Sequence, residues 1–441
     1  MLPGAAHRQR ARALSLAGLL VAIGLLAALI AGPGPGREPH TTAPGVDFVA
    51  FYSGARVAAS GADPYRAEPL RSVEDGVSIR IKKLPGAVVP SPLPGYAFVI
   101  FAPFAAMPFT IASRIWFGLL ALAVAATIGI VHKLTRAPLV LITLTLIASE
   151  GLTSMILGQV VPITIAAACV AAYALRSGQR TLAVCAAALT TMEPHLGLPV
   201  VLAIFVGDRP SRRPLLIAGG TLAAAALWRL GPTVNWEYLT QVLPAHVRTE
   251  IVNFPAQYSL TALLAQLGVA HEFAVRAGEI SYAVMLVLGV WAGRALARRF
   301  DDRAFIPLTP FATILLGGPF LHFHQIAAAI PLAWLLYANL PRLRVQLAIA
   351  LIALAIPWEG IAESDSVEQV LGLYRHPGAE AAIAAVSGGH RLAEDAWRAF
   401  IETGRLTSPA LAAWSIGFKL PTWTALGILV ATSARAARVR S

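Results

Sequence analysis

Apolar runs recur along almost the whole chain, at roughly 14–31, 111–131, 138–149, 155–175, 181–192, 195–206, 214–230, 277–297, 304–320, 323–340, 343–360 and 411–433. Backbone amides in lipid must be bonded within their own segment, so runs of this kind fold as membrane helices. A straight crossing needs ~20 residues, and 138–149, 181–192 and 195–206 fall short of that; they read as half-helices or as parts of longer neighbours. The fold class expected is an all-α, polytopic transmembrane helical bundle of about 11–12 spans. Composition agrees: 57% of the residues are hydrophobic and 13% charged, about half the charged share of a soluble domain. Cys169 and Cys185 both fall inside apolar runs, so neither a disulfide framework nor a thiolate metal site is read from them.

The formal net charge of +12 would fit a nucleic-acid partner if the basic residues formed a patch, and they do not. With the N-terminus in the cytoplasm, the connections 1–13, 132–137, 176–180, 207–213, 294–303, 341–344 and 434–441 face the cytoplasm. They hold 19 of the 35 basic residues and only three acids, Asp208, Asp301 and Asp302. This is the positive-inside pattern; it puts both termini in the cytoplasm of a cytoplasmic (inner) membrane and calls for membrane lipids, with no nucleic acid, as partners. HRQRAR before the first run resembles a signal-peptide n-region, but no convincing cleavage site precedes PGPGRE, so residues 14–31 read as a retained signal anchor.

The chain then reads as one membrane-embedded domain with three external excursions, at 32–110, 231–276 and 361–410. In the first, KKLPGAVVPSPLPGYAFVIFAPFAAMPF carries prolines at 90, 92, 94, 103 and 108, which rule out one uniform helix and favour a membrane-surface or re-entrant helix. In the second, Trp236, Tyr238 and Phe254 suit an interfacial lid. The third holds two amphipathic helices, near 363–374 and 390–402. No internal repeat of fixed period stands out, which weighs against a transporter built from inverted repeats.

Ionisable groups near the apolar layer cost several kcal/mol unless paired, so each is a functional candidate. Asp47, Glu150, Glu193, His195, His322 and His324 all fall at external ends of runs, the layout of a cavity opening outward rather than of a path across the membrane. Asp47 lies in GVDFVAFYSGARVAASGADPY. At helical spacing Asp47, Phe51, Gly54 and Ala58 share one stripe, and Phe48, Tyr52 and Ala55 the next. Two roles are open to Asp47, a helix cap and a reactive carboxylate. Glu150 and Gln159 flank a short connection they could simply cap, and Glu193 before Pro194 could cap a helix break. His322 and His324 point apart in a helical chain, so no metal pair is read from them and no metal or cofactor is expected. A hydrogen bond from one of them to a phosphate or to the reactive carboxylate is the role left. Arg56, Arg66, Arg71, Arg80, Lys82 and Lys83 either solvate the first loop or meet an anionic head group. No nucleotide, zinc-hydrolase or serine-hydrolase motif occurs in a fitting context.

These residues carry a resemblance. The first span, then DFVAFYSGARVAASGADPY, then the proline-rich piece ending in APFAAMPF, resembles glycosyltransferase family 87 of the GT-C superfamily, which includes mycobacterial α-1,2-mannosyltransferases. ILGQVVPI is similar to that family's Gly-Gln stretch, MEPHLGLPVVL to its Lys-Pro-His/Gln stretch, and PAQYSLTALL to its Asn-Gln-Ser-Leu stretch. Two positions depart: Glu193 stands where a lysine is common, and Ala256 rather than asparagine precedes Gln257. The resemblance implies an inverting transferase that moves a sugar, by default mannose, from a polyprenyl-phosphate donor to a lipid or glycan hydroxyl outside the cytoplasmic membrane. It implies Asp47 as catalytic base, and Tyr52, Arg56, Gln159, Glu193, His195, Gln257, His322 and His324 as donor-phosphate or acceptor-binding candidates. A flippase for lipid-linked sugars and a structural protein with an inactive site are the competing readings.

Overall fold

The computed structural model describes residues 45–77, 88–252, 257–358, 391–403 and 409–438. The expected signal anchor at 14–31, the helix expected at 363–374, Arg80, Lys82, Lys83, Phe254 and Ala256 lie outside the described residues.

Helices dominate, in the order the hydropathy pattern requires. The first excursion opens with α1 (Val46–Ala59) and α2 (Ala67–Val77), then an extended proline-rich segment and α3 (Gly95–Ala105), a short apolar helix where a re-entrant or surface piece was expected. α4 (Phe109–Thr135), α5 (Leu139–Ala148), α6 (Glu150–Leu157), α7 (Val161–Arg176), α8 (Arg180–Thr190) and α9 (Pro194–Gly207) follow the runs drawn from sequence. α10 (Arg212–Glu237) bends at Gly231 and Pro232, where its run was expected to end, and continues through a π-turn into α11 (Leu243–Val252). Then come α12 (Leu260–Gln266), α13 (His271–Arg299) and α14 (Phe305–Thr313), followed by a 3-10 helix at Phe323–Ala329 that runs into α15 (Ile330–Asn339). α16 (Arg344–Ala355), α17 (Ala393–Thr403) and α18 (Pro409–Arg438) complete the described chain. α17 occupies the place of the helix expected at 390–402. Among the described residues there is no strand, only isolated bridges between Arg66 and Leu392 and between Gln257 and His322.

The protein is an all-α bundle with membrane-spanning character. Among the described residues three helical stretches are long and apolar enough to cross a bilayer alone: Phe109–Thr135, Arg209–Val252 and His271–Arg299. Two bent pairs, one of them Phe323–Asn339 with Pro341–Ala355 at 117°, raise the number to five if each is one span. Their outward faces are greasy. Ile111, Ile115, Leu119 and Leu122 form an exposed stripe on α4, and Ile280, Val284, Val287 and Trp291 form another on α13. Stripes of exposed large apolar side chains at helical spacing are what a lipid-facing surface requires and a water-facing one avoids.

Two packed regions flank the future site. One joins α7, α14, the 3-10 helix and α15 through Ile165, Phe311, Leu315 and Ile326. The other is aromatic and seats α1: Phe48 stacks on Trp116 at 5.3 Å and 14°, and meets Phe104 edge-on at 6.0 Å. α1 lies close against α3 because Gly54 has no side chain; a Cβ there would stand 2.8 Å from the Phe98 ring and 2.9 Å from Ser91 Oγ. Tyr238, expected on the membrane surface, is instead buried, stacked on Tyr65 at 5.3 Å with its hydroxyl donating to the Pro92 carbonyl. Its polar tip finds a backbone acceptor inside the protein, so it has no need of the interface.

Candidate active site

The start of α1 fixes the central carboxylate. Gly45, not Asp47, is the N-cap, and no side chain caps this helix. Asp47 is therefore released from the capping role. Its partner is the side chain of Gln159, whose Nε2 donates to Asp47 Oδ2 at 2.8 Å. Gln159 reaches it because α6 ends in a tight turn at Gly158 (φ 76°), where a Cβ would come within 2.9 Å of Phe48. That turn is pinned twice, by Gly45 N–H donating to the Ile156 carbonyl at 2.8 Å and by Trp116 Nε1 donating to the Gly158 carbonyl at 2.8 Å. The cap of α6 is Ser149, leaving Gln159 free for the carboxylate.

Asp47 opens into a cavity of about 1060 Å³. The stripes hold in part. Asp47 and Phe51 face the cavity, joined by Ala50, while Gly54 packs against α3 and Ala58 joins Phe48 and Tyr52 in the aromatic cluster. Pro90, Pro92 and Leu93 line it, so the proline-rich wall is the extended segment before α3 rather than a helix. The Met192–His195 turn supplies Glu193 and His195, which face each other with Oε2 and Nδ1 3.7 Å apart. Glu193 makes no capping bond to α9. The tyrosine hydroxyl of Tyr282 holds the turn by donating to the His195 carbonyl at 2.6 Å.

The wall carrying His322 and His324 is built by the bridge between Gln257 and His322. The two imidazoles do not point apart, as a helical chain would dictate; their rings stack 5.0 Å apart at 13°. The reason is a change of conformation between them. His322 is the extended N-cap (φ −79°, ψ 150°) and the 3-10 helix starts at Phe323. Gln257 is fully buried behind this wall. Its Oε1 accepts from Leu321 N–H at 2.7 Å and its Nε2 donates to Glu250 Oε2 at 2.5 Å.

Two expected residues stay away. Arg56 is exposed and donates to the Tyr52 hydroxyl at 2.7 Å, and that hydroxyl donates to the Met107 carbonyl at 2.8 Å. Both sit on the far stripe of α1, one residue register from Asp47. The other described cations of the first loop are likewise committed, Arg66 to Asp63 and Glu237 and Arg71 to Asp75. Positive charge reaches the cavity from elsewhere: Arg248 on α11 and Arg276 on α13 line it, as do His246 and Glu250. These were missed in the sequence, although HVRTE places His246 and Glu250 four residues apart on one helical face.

Burial sets the electrostatics. It pushes the Asp47 carboxyl up from 3.8 to about 6, against the Gln159 hydrogen bond and the charge of His322, which both favour ionisation. Burial likewise raises Glu193 to about 7, opposed by His322 and His246. At neutral pH such an Asp47 is ionised yet basic enough to take a proton, the condition for general-base work.

Comparison with known proteins adds one finding. The family model for glycosyltransferase family 87 matches residues 94–321. Curated proteins and solved structures gave no match. The matched region contains Gln159, Glu193, His195, His246, Glu250 and Gln257 and ends one residue before His322; Asp47 lies upstream of it and is joined to it through the contact with Gln159. Helical architecture, cavity and family match converge, and the chain belongs to glycosyltransferase family 87.

Proposed function

We propose that the protein is an inverting transferase that moves a hexose, mannose in the first instance, from a polyprenyl-phosphate donor to a hydroxyl of a glycolipid or glycan at the external face of the cytoplasmic membrane. The whole chain then acts as one membrane-embedded domain, with both termini cytoplasmic. The observation that carries this reading is the half-buried, hydrogen-bonded Asp47 facing the same cavity as His322 and His324.

Asp47 accepts the proton of the acceptor hydroxyl while that oxygen bonds to the anomeric carbon. The bond from anomeric carbon to phosphate oxygen breaks from the opposite face, and its electron pair stays on the phosphate, which leaves as polyprenyl phosphate. The growing negative charge needs cationic groups in a site with little water. His322, with Arg248 and Arg276 toward the cavity rim, supplies them in place of the lysine that Glu193 replaces. Gln159 holds Asp47 in position, Gln257 holds the His322 strand, and Glu193 with His195 meets sugar hydroxyls. Tyr52 and Arg56 have no part in binding. The donor's isoprenoid tail leaves along the apolar lining formed by Leu239, Leu243 and Val247.

The test is reconstitution of the purified protein into liposomes with polyprenyl-phosphate [¹⁴C]mannose and mycobacterial-type glycolipid acceptors. Label should move to the acceptor with inversion at the anomeric carbon. Movement of intact labelled donor across the bilayer with no transfer would make the protein a flippase and overturn the reading.

A further inference from the structure

The wall opposite Asp47 holds a constellation that proton transfer does not use. α11 presents His246 and Glu250 one helical turn apart, and the Gln257 bridge brings His322 against them. Ligand atoms of these three side chains all lie within 4.8 Å of one another. Glu250 Oε1 is 3.8 Å from His246 Nδ1, and Glu250 Oε2 is 3.3 Å from His322 Nε2. Nitrogen and oxygen donors about 2.0–2.2 Å from a tetrahedral cation stand roughly 3.3–3.6 Å apart, so the group must draw in by up to about 1 Å to close on one.

The surroundings crowd polar groups around this point. Gln257 cannot turn its amide around, because its Oε1 already accepts from Leu321 N–H. Its Nε2, a donor, therefore faces Glu250 Oε2 at 2.5 Å and also lies 3.1 and 3.2 Å from the two ring nitrogens of His322. With His322 protonated, Nε2–H pairs with Glu250 Oε2; with that nitrogen bare, its lone pair and the carboxylate converge on one point, where a cation takes the proton's place. Glu394 serves His246 in the same spirit: its Oε1 is 3.1 Å from His246 Nδ1, and its buried Oε2 has no hydrogen-bond partner among the described residues. With Nδ1 held by Glu394, His246 would offer its Nε2 to an ion; a carboxylate on the other ring nitrogen is the usual means of orienting a metal-bound histidine.

We propose that His246, Glu250 and His322 form a site for one divalent transition-metal ion, of the Zn²⁺, Co²⁺ or Mn²⁺ class, with Glu394 and Gln257 orienting its ligands. Two imidazoles and one carboxylate suit these ions and leave positions open, whereas Ca²⁺ takes six to eight oxygens. All three ligands line the cavity, so the open positions face it. If the glycosyl-transfer reading holds, the ion takes over from a protonated His322 the positive charge that meets the leaving phosphate; the binding claim itself does not depend on that reading.

The experiment is a Co²⁺ titration of tag-free, chelator-stripped protein in detergent, read by visible ligand-field absorption, with Zn²⁺ competition and elemental analysis. One ion per chain is expected. Affinity should fall more than tenfold in His246→Ala and in Glu250→Gln, and about tenfold in Glu394→Gln, which leaves every ligand in place. Asp47→Asn should bind as the unaltered chain does. Absence of a stoichiometric site, or equal affinity in the unaltered chain and a His246→Ala/His322→Ala variant of normal gel-filtration profile, would overturn the proposal. Sugar transfer does not enter the readout, so a failure here and a failure of the transferase reading are told apart.

Discussion

A carboxyl group held at about 6 by burial gives the reaction a specific pH signature. Asp47 must be ionised to accept a proton, so kcat/KM should rise through pH ~6 and level above pH ~7. The groups that bear on this titration are Gln159 and His322, which favour the anion, and Glu250, which opposes it. Glu193 is coupled to it as a neighbouring acid. Gln159→Leu removes one of the stabilising partners, so the rising limb should move to higher pH; an unmoved limb would detach Gln159 from the mechanism. The same burial penalises the folded state whenever Asp47 is charged. A shift from 3.8 to about 6 corresponds to at most roughly 3 kcal/mol. Asp47→Asn removes that penalty, so thermal unfolding in detergent should show a higher Tm for the variant at pH 8, a gain that shrinks as pH falls through about 6 and is gone below pH 3.8. A Tm lowered at pH 8 would show Asp47 to be a structural residue instead.

At the scale of elements, α1 is placed by its close approach to α3 and by the Gly158 turn. Gly54→Val drives its side chain into Phe98 and Ser91, which overpacking data put at about 1–3 kcal/mol. The expected result is a lower Tm together with lost activity, since α1 carries Asp47; a variant with unchanged Tm would mean that the two helices are loosely packed. Much of this element was legible in the chain. The Asp47–Phe51 side of α1, the span expected at 111–131 and the end of a run at 230 follow from periodicity, hydropathy and turn chemistry, which act over a few residues. Convergence is not encoded that locally. Gln257 meets His322 across 65 positions, and His246 meets Glu394 across 148. Nothing in HVRTE announces that partners will arrive from so far away. The stacked His322 and His324 rings escape a helical period of 3.6 because His322 is extended and the 3-10 helix starts only at Phe323; alternation with a period of two puts both on one face.

Across the whole molecule, chemistry and anchoring separate. The cavity gathers carboxylates and imidazoles, while the connections expected to face the cytoplasm are tied by arginines: Arg176 pairs with Asp302, and Asp208 receives Arg180 and Arg303, each at 3.5 Å. Asp208 is 6% exposed and also accepts from Ser211 Oγ at 2.6 Å. Asp208→Ala leaves that hydroxyl and two cations without their acceptor, so Tm should fall by an amount matching about 1–3 kcal/mol. The pH limb of activity should stay where it is, because this cluster is remote from Asp47. The account rests most heavily on Asp47 as the base. Transfer of labelled mannose from polyprenyl phosphate by Asp47→Asn, beside the unaltered protein at pH 7.5 and equal amounts of folded material, tests it most directly. A loss of roughly 10²–10⁴-fold is expected; transfer at the unaltered rate would rule Asp47 out as the base.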